Sequence, residues 1–420
     1  MYMIFLSDNK PYRPPLWTIR FLLACLANFS LFSGFYLLLP VLPLYLTDAF
    51  QAKISVVGIA LSSYTVAALL IRPFSGFAMD FLPRKSLYLL TYLLFILVFP
   101  VYLLMHSLSL FILLRIWHGF TFGAVTTAGT TLVIDILPSE RRGEGLGYFG
   151  VMNNLAMALG PMAGLYIYSH LGYRALFVTA FLLGLSGWMM ATGIHAPKRK
   201  PVKRPPLSLD RFFLLKGFLS GLVLLGIAIP YGMISSYVAL LGNALDMGDR
   251  SGLFFVFLAI GLILSRTFSG HRVDQGFVTQ MITLGISLVA PSLLVLSQAE
   301  LIASLSPKAG SFLYLLSAFF LGAGYGTVFP AFNALFVNLA PNHQRGTAVS
   351  TYLTSWDLGV GVGIFSGGLI YDKAGISLSF LAGALSSAVA FILFINFAAG
   401  HYLRNKHCPD LSENTQQSDS

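Results

Sequence analysis

One phrase occurs twice in this chain. Residues 70–80 read LIRPFSGFAMD and residues 264–274 read LSRTFSGHRVD. Arg72 aligns with Arg266, Phe74 with Phe268, Ser75 with Ser269, Gly76 with Gly270 and Asp80 with Asp274. Each copy closes a long apolar run and opens a short charged loop. A later stretch repeats as well. Gly160, Gly164, Tyr168, Gly172 and Phe177 align with Gly363, Gly367, Tyr371, Gly375 and Phe380, and the same offset pairs Gly119 and Gly123 with Gly322 and Gly326. Ordered matches that include aromatic and charged residues point to a duplication, and so to a bundle of two similar halves.

Composition says what surrounds that bundle. Only 10% of the 420 residues are charged, 56% are hydrophobic and the mean hydropathy is +0.77. A soluble domain carries about 25% charged residues, so this chain has too little charge to cover a water-facing surface, and the lipid bilayer is its expected partner. Twelve apolar spans are expected, near 18–46, 54–79, 86–105, 109–136, 144–169, 174–195, 212–241, 251–270, 277–298, 310–340, 346–371 and 375–399. Each is long enough to cross about 30 Å of hydrocarbon. The expected fold class is an all-α membrane protein of twelve transmembrane helices in two pseudo-equivalent six-helix halves.

The net charge of +10 suggests nucleic acid in a soluble protein. Here its placement excludes that reading. Most of the 26 Lys and Arg fall on the face that carries both termini, which places that face in the cytoplasm. The first span follows a polar start and is too long for a signal-peptide core. The expected organisation is a six-helix half at 1–195, a basic, Pro-rich cytoplasmic linker at 196–211, a second half at 212–400 and a disordered tail at 401–420. The two cysteines, Cys25 in the first span and Cys408 in the tail, cannot form a disulfide framework or a metal cluster. No metal and no cofactor are expected.

Three motifs then carry a resemblance. The loop after the second span reads Gly76-Phe-Ala-Met-Asp80-Phe-Leu-Pro-Arg84-Lys85. It resembles motif A of the major facilitator superfamily, and departs from it at Phe81, where a basic residue is usual, and at Pro83, where Gly is usual. Physically this loop suits a gate. Gly76 permits close helix approach, and Asp80 at the membrane edge can face a helix N-terminus with its partial positive charge. Arg84 can pair with Asp135 at the end of the fourth span. Gly270 and Asp274 repeat the gate in the second half, and the bland alternative is that these charges are topology anchors alone.

Arg115-Ile-Trp-His118-Gly119 in the fourth span resembles motif B. A charge inside the bilayer is costly and usually faces a partner or a water-filled path. His118 lies three residues on, close to the same helix face, and imidazole titrates near neutral pH. The alternative is a structural Arg with a packed His. The repeat position of Arg115 is Ala318, so this feature is not symmetric. Gly160-Pro161-Met-Ala-Gly164 in the fifth span resembles motif C of proton-coupled exporters, with Ala156 where the leading Gly is usual. Pro161 is expected to kink the helix and the two glycines to pack closely.

Asp357 is the deepest acid. It lies 11 residues past Gly346, about 17 Å into the span at 1.5 Å per residue. It reads either as a proton site or as one member of an ion pair with Arg72, and both readings stand at this point. Asn28, Asn153, Asn154 and Asn333 are polar residues within spans, and Tyr36, Tyr352 and Trp356 are aromatics placed to line a cavity. No P-loop, GxSxG, HExxH or CxxC pattern appears, which argues against an ATP-driven pump or a hydrolase.

The resemblance covers nearly the whole chain. It is nearest to the drug:proton antiporter and sugar-efflux branch, which includes exporters of opine-type metal chelators. It implies a monomeric secondary transporter in a cell membrane, such as a bacterial inner membrane, that exchanges a small organic molecule for protons. Proton-coupled nutrient uptake is the alternative within transport, and a non-transporting receptor is the alternative outside it.

Overall fold

The computed structural model describes residues 14–138, 141–195, 214–340 and 345–406, and they are almost wholly helical. The expected linker at 196–211 and the tail from 407 onward lie outside the described residues. The first half comprises α1 (Ile19–Leu38), α2 (Val41–Phe50), α3 (Ile54–Phe81), α4 (Arg84–Ile96), α5 (Val98–Val101), α6 (Leu108–Ile136) and α7 (Arg142–Thr192). The second comprises α8 (Phe218–Ala244), α9 (Leu253–Asp274), α10 (Val278–Leu305), α11 (Pro307–Leu339), α12 (Arg345–Ala374), α13 (Ile376–Leu393) and α14 (Ala399–Asn405).

Among the described residues, eleven stretches are long and apolar enough to cross a membrane. One of them, Gly145–Thr192, is 48 residues long. That is about 72 Å of helix at 1.5 Å per residue, enough for two crossings. It breaks at Gly172, where φ is 75° and ψ is 177°. The two arms bring the crossings to twelve. Gly375, the repeat partner of Gly172, has φ 87° and ψ 167° between α12 and α13. Both turns use a backbone region open essentially to Gly alone, which explains why the repeat kept Gly at both positions.

Local signals set the ends. Thr18, Ser107 and Ser306 accept hydrogen bonds from the backbone N–H groups of Phe21, Leu110 and Ala309 at the starts of α1, α6 and α11. Pro40 divides the first span into α1 and α2, and the crossing runs on to Phe50. The final crossing continues through a π turn at Phe394–Ala398 into α14 and ends at Asn405. The helix therefore enters the segment expected to be a disordered tail.

Packing explains the remaining glycine matches. In lipid, helices gain little from apolar burial and associate through close contact of small residues. A Cβ at Gly119 would strike the Tyr64 carbonyl oxygen of α3, and one at the repeat partner Gly322 would strike the Leu258 carbonyl oxygen of α9. The same relation joins Gly164 to the Leu37 carbonyl and Gly363 to the Ile229 carbonyl. Thus α3 crosses α6 as α9 crosses α11, and α1 crosses α7 as α8 crosses α12. Contact between the first seven helices and the rest runs chiefly through α3 against α12 and α7 against α9.

Candidate functional site

The terminal face holds the start of α1 and the end of α14, and the far face lies opposite. At mid-depth between them, Arg72 Nη1 of α3 forms an ion pair with Asp357 Oδ2 of α12. The two side chains keep 21% and 27% of their surface exposed. A charged pair that deep, and still partly open, requires an aqueous cavity beside it, because hydrocarbon cannot solvate it. Of the two readings of Asp357, the geometry realises the pair. A pair does not exclude proton binding, since the carboxylate keeps free lone pairs.

Aromatic side chains from both halves surround the pair. On one side Tyr36 stacks near Phe32 and Phe35, and Phe35 lies parallel to Tyr64 with ring centroids 5.3 Å apart. On the other side Trp356 packs against Tyr231 at 5.0 Å and Phe329 at 4.6 Å. Tyr36 lies within electrostatic reach of both Tyr231 and Asp357, so the two clusters face each other across the halves. Tyr352 stands close to both Arg266 and Asp357. Offset and edge-on aromatic pairs are each worth about 0.5–1.5 kcal/mol beyond area burial, so these walls are rigid.

Below Tyr64, the fourth span buries Arg115 and His118, each 1% exposed. Tyr102 joins them. Its hydroxyl lies 2.9 Å from His118 Nδ1 and 3.5 Å from Arg115 Nη1. The Arg115 guanidinium sits 4.3 Å from the centre of the Tyr64 ring, a cation–π contact that replaces part of its lost hydration. Arg115 Nε, His118 Nε2 and the Tyr64 hydroxyl are buried without hydrogen-bond partners. Phe95 and Phe99 complete the box around His118. Tyr102 and Tyr64 were not legible as members of this cluster, because neither belongs to a motif and Tyr102 lies on a different span.

Other expected positions divide. At the terminal face, Arg84 Nη1 donates to both carboxylate oxygens of Asp135 at 2.8 Å, and Arg84 Nε donates to the Met79 carbonyl at 3.0 Å. This ties together the end of α3, the start of α4 and the end of α6. The side-chain surroundings of Gly76 and Asp80, in the last turns of α3, lie outside the described residues, and so do those of Asn154. Gly270 faces open space and Asp274 is exposed. Asn28 donates from Nδ2 to the Phe149 carbonyl at 3.1 Å, so it joins α1 to α7. Asn153 Oδ1 is buried and accepts no hydrogen bond. Gly160 packs on Tyr36 and Gly164 on Leu37, but the backbone through Pro161 stays helical. The break in α7 falls eleven residues later, at Gly172. Proline removes one N–H without a break where neighbouring helices hold the turn.

Toward the far face the halves close. Ser55 Oγ of α3 donates to Asp372 Oδ2 of α12 at 2.7 Å. Gly58 lies against the Ile364 and Phe365 carbonyls, and Gly368 against the Ile54 carbonyl. A separate cleft of about 320 Å³ between α3, α6 and α12 is lined by Ile59, Val66, Leu70 and Phe365. Its walls are largely apolar and it is open.

Twelve crossings in a repeated bundle, with a charged site at mid-depth between the halves, define a membrane transporter and not an enzyme. The sequence model of the Major Facilitator Superfamily matches residues 24–305 and 277–409, and the chain belongs to that family. The uncharacterized MFS-type transporter YhhS of Escherichia coli K12 is 26% identical over 387 residues, which is 89% of this chain and 91% of YhhS. The quinolone resistance protein NorA of Staphylococcus aureus is 30% identical over 172 residues, covering 41% of this chain and 44% of NorA. Among solved structures, a bacterial homologue of the human lysosomal transporter Spinster, inward-facing and unoccupied, superimposes with a TM-score of 0.74. It does so at 12% identity, over 95% of this chain and all of that one. The D-xylose-proton symporter gives 0.71 at 15% identity, over 90% of this chain and 97% of the symporter. Both share the fold.

Proposed function

We propose that this transporter exports a small organic molecule in exchange for protons, by alternating access around the Arg72–Asp357 pair. The observation that carries the reading is that the pair spans the two halves at mid-depth while remaining partly exposed. A proton that lands on the Asp357 carboxylate neutralises it and removes the attraction to Arg72. The halves are then free to part at that seam. Loss of the proton to the other side restores the pair. Only a group with different affinity for its ligand in the two arrangements can drive such a cycle.

The terminal face is read as cytoplasmic, because most Lys and Arg border it, and the membrane as a bacterial inner membrane. The Ser55–Asp372 contact and the glycine seam at Gly58 and Gly368 then close the outside, and the cavity opens inward. The Arg84–Asp135 bridge and Asp80 form the inner gate in this reading. Export is favoured by Gly160 and Gly164 packing α7 against Tyr36 and Leu37, and by the partial likeness to NorA. The protein acts as a monomer, since each half supplies its own part of the site.

The test is proteoliposome transport under an imposed pH gradient. The substrates are compounds to which a deletion strain becomes sensitive. Export by exchange requires that an acidic interior drive uptake into the vesicle, with loss of the effect in Asp357→Asn. Uptake driven by an acidic exterior sinks the exchange reading and assigns nutrient symport.

A further inference from the structure

The internal repeat changes charge at two mid-membrane positions, Arg115 against Ala318 and Asp357 against Asn154. The offset that aligns Gly160 with Gly363 also aligns Asn154 with Asp357. The cation paired with Asp357 has no such change, because Arg72 repeats as Arg266. In one half-pair, Arg72 of α3 finds Asp357 of α12. In the other, the position of α7 that matches Asp357 in sequence is Asn154, and α7 packs against α9, the helix that carries Arg266. Arg266 makes no ion pair or side-chain hydrogen bond among the described residues. Tyr352 lies within electrostatic reach of both Arg266 and Asp357. The depth of Arg266 matches that of Arg72, eight residues before the acid that ends each repeat.

Among the described residues, the charged side chains in the middle of the membrane are therefore Arg72, Arg115, Arg266 and Asp357. Three are cations and one is an acid, and the acid is already paired. Arg115 is sealed in its aromatic box with 1% exposure. Arg266 is only half-buried, and its guanidinium nitrogens are not among the buried atoms that lack partners. It is the reachable one. A guanidinium cannot shed its proton to relieve burial, and its planar fork fits a carboxylate or phosphate. Tyr352 is the aromatic neighbour that would flank whatever it holds.

We propose that Arg266 is the anchor for an acidic group of the substrate, and that the transported molecule is an organic anion with an apolar or aromatic body. This rests on the transport reading above and adds the substrate class. The anion supplies the counter-charge that Asn154 omits. Two positions that descend from one sequence thus have separate tasks, with Arg72–Asp357 as the seam between halves and Arg266 as the ligand contact.

The experiment reads the charge of the cavity without knowing the substrate. In a background with Cys25→Ala and Cys408→Ser, Tyr352→Cys places one thiol beside Arg266 and Asp357. Full-length protein in liposomes is treated with anionic sulfonatoethyl methanethiosulfonate or with its cationic trimethylammonium analogue. Each rate of mixed-disulfide formation, in which methanesulfinate leaves, is divided by the rate with a free thiol in solution. The expected result is a normalised anion-to-cation ratio of about tenfold or more, as one uncompensated charge at close range predicts. Arg266→Gln should bring the ratio to unity or below, and Arg266→Lys should keep it. A ratio favouring the cation overturns the proposal, as does absence of reaction from either side, or an anion preference that Arg266→Gln leaves intact. If Arg266→Gln does not fold, the ratio in the Arg266 protein still decides. The transport reading fails separately, through reaction confined to one side under every pH gradient.

Discussion

Arg72 and Asp357 lie on different halves of the molecule, 285 positions apart in sequence, and meet as an ion pair where α3 crosses α12. No other ion pair among the described residues joins the halves. Removing one member leaves a charge without a partner, which in a buried setting costs about 3–5 kcal/mol. Removing the charge of the acid while keeping its shape does less, because the amide oxygen still accepts from the guanidinium.

Asp357→Asn should therefore insert and fold, and should lose transport driven by a pH gradient while retaining substrate exchange. Asp357→Ala should be the less stable of the two. Coupled flux and counterflow in proteoliposomes, with thermal stability in detergent, separate these outcomes. Full pH-driven flux in Asp357→Asn would move the proton to His118.

At the terminal face, Arg84 clamps Asp135 with both carboxylate oxygens engaged. The Asp135 side chain is only 4% exposed. Arg84→Ala should lower stability by about 3 kcal/mol, and the double variant Arg84→Ala with Asp135→Ala should recover part of it. Thermal unfolding of the four-member cycle measures the coupling. Additive losses would mean that the bridge contributes nothing of its own.

The crossings at Gly164 and Gly363 leave no space for a side chain, because a Cβ at either would meet the backbone carbonyl of Leu37 or Ile229. Gly164→Ala and Gly363→Ala should each reduce the yield of folded protein and lower its thermal midpoint. Gly147, in the same helix as Gly164, has open space around it. Gly147→Ala should leave folding unchanged or gain about 0.5–1 kcal/mol through reduced backbone freedom. Equal effects at Gly147 and Gly164 would contradict the packing argument.

Closure of the far face rests on Ser55 and Asp372 at 2.7 Å. Asp372→Ala should shift the population toward the arrangement open on that side. The readout is faster alkylation of a cysteine placed at Thr65, which packs on Gly361 across the seam, by an impermeant reagent added at the far face. An unchanged rate would show that the glycine seam alone holds the closure.

Much of this was legible in the chain before any coordinates. Long apolar runs without charge must cross a bilayer, because only a helix satisfies its own backbone in lipid. The doubled LIRPFSGFAMD phrase and the aligned glycines therefore imposed a duplicated twelve-crossing bundle, and the spacing already allowed Arg84 to meet Asp135. Gly172 and Gly375 were visible as a match, but their positive φ was not, since alignment shows which residue was retained and not which backbone angle required it. The tertiary structure decided the pairings that depend on which helix faces which. It joined Arg72 to Asp357, gave Asn28 to the Phe149 carbonyl, put Tyr102 and Tyr64 around Arg115 and His118, and left Arg266 without an acid. Those outcomes are long-range because each needs two helices separated by many residues to cross at a set depth and rotation. A periodic apolar pattern specifies that a helix is buried, but the side that meets a given neighbour is fixed only when the whole bundle packs.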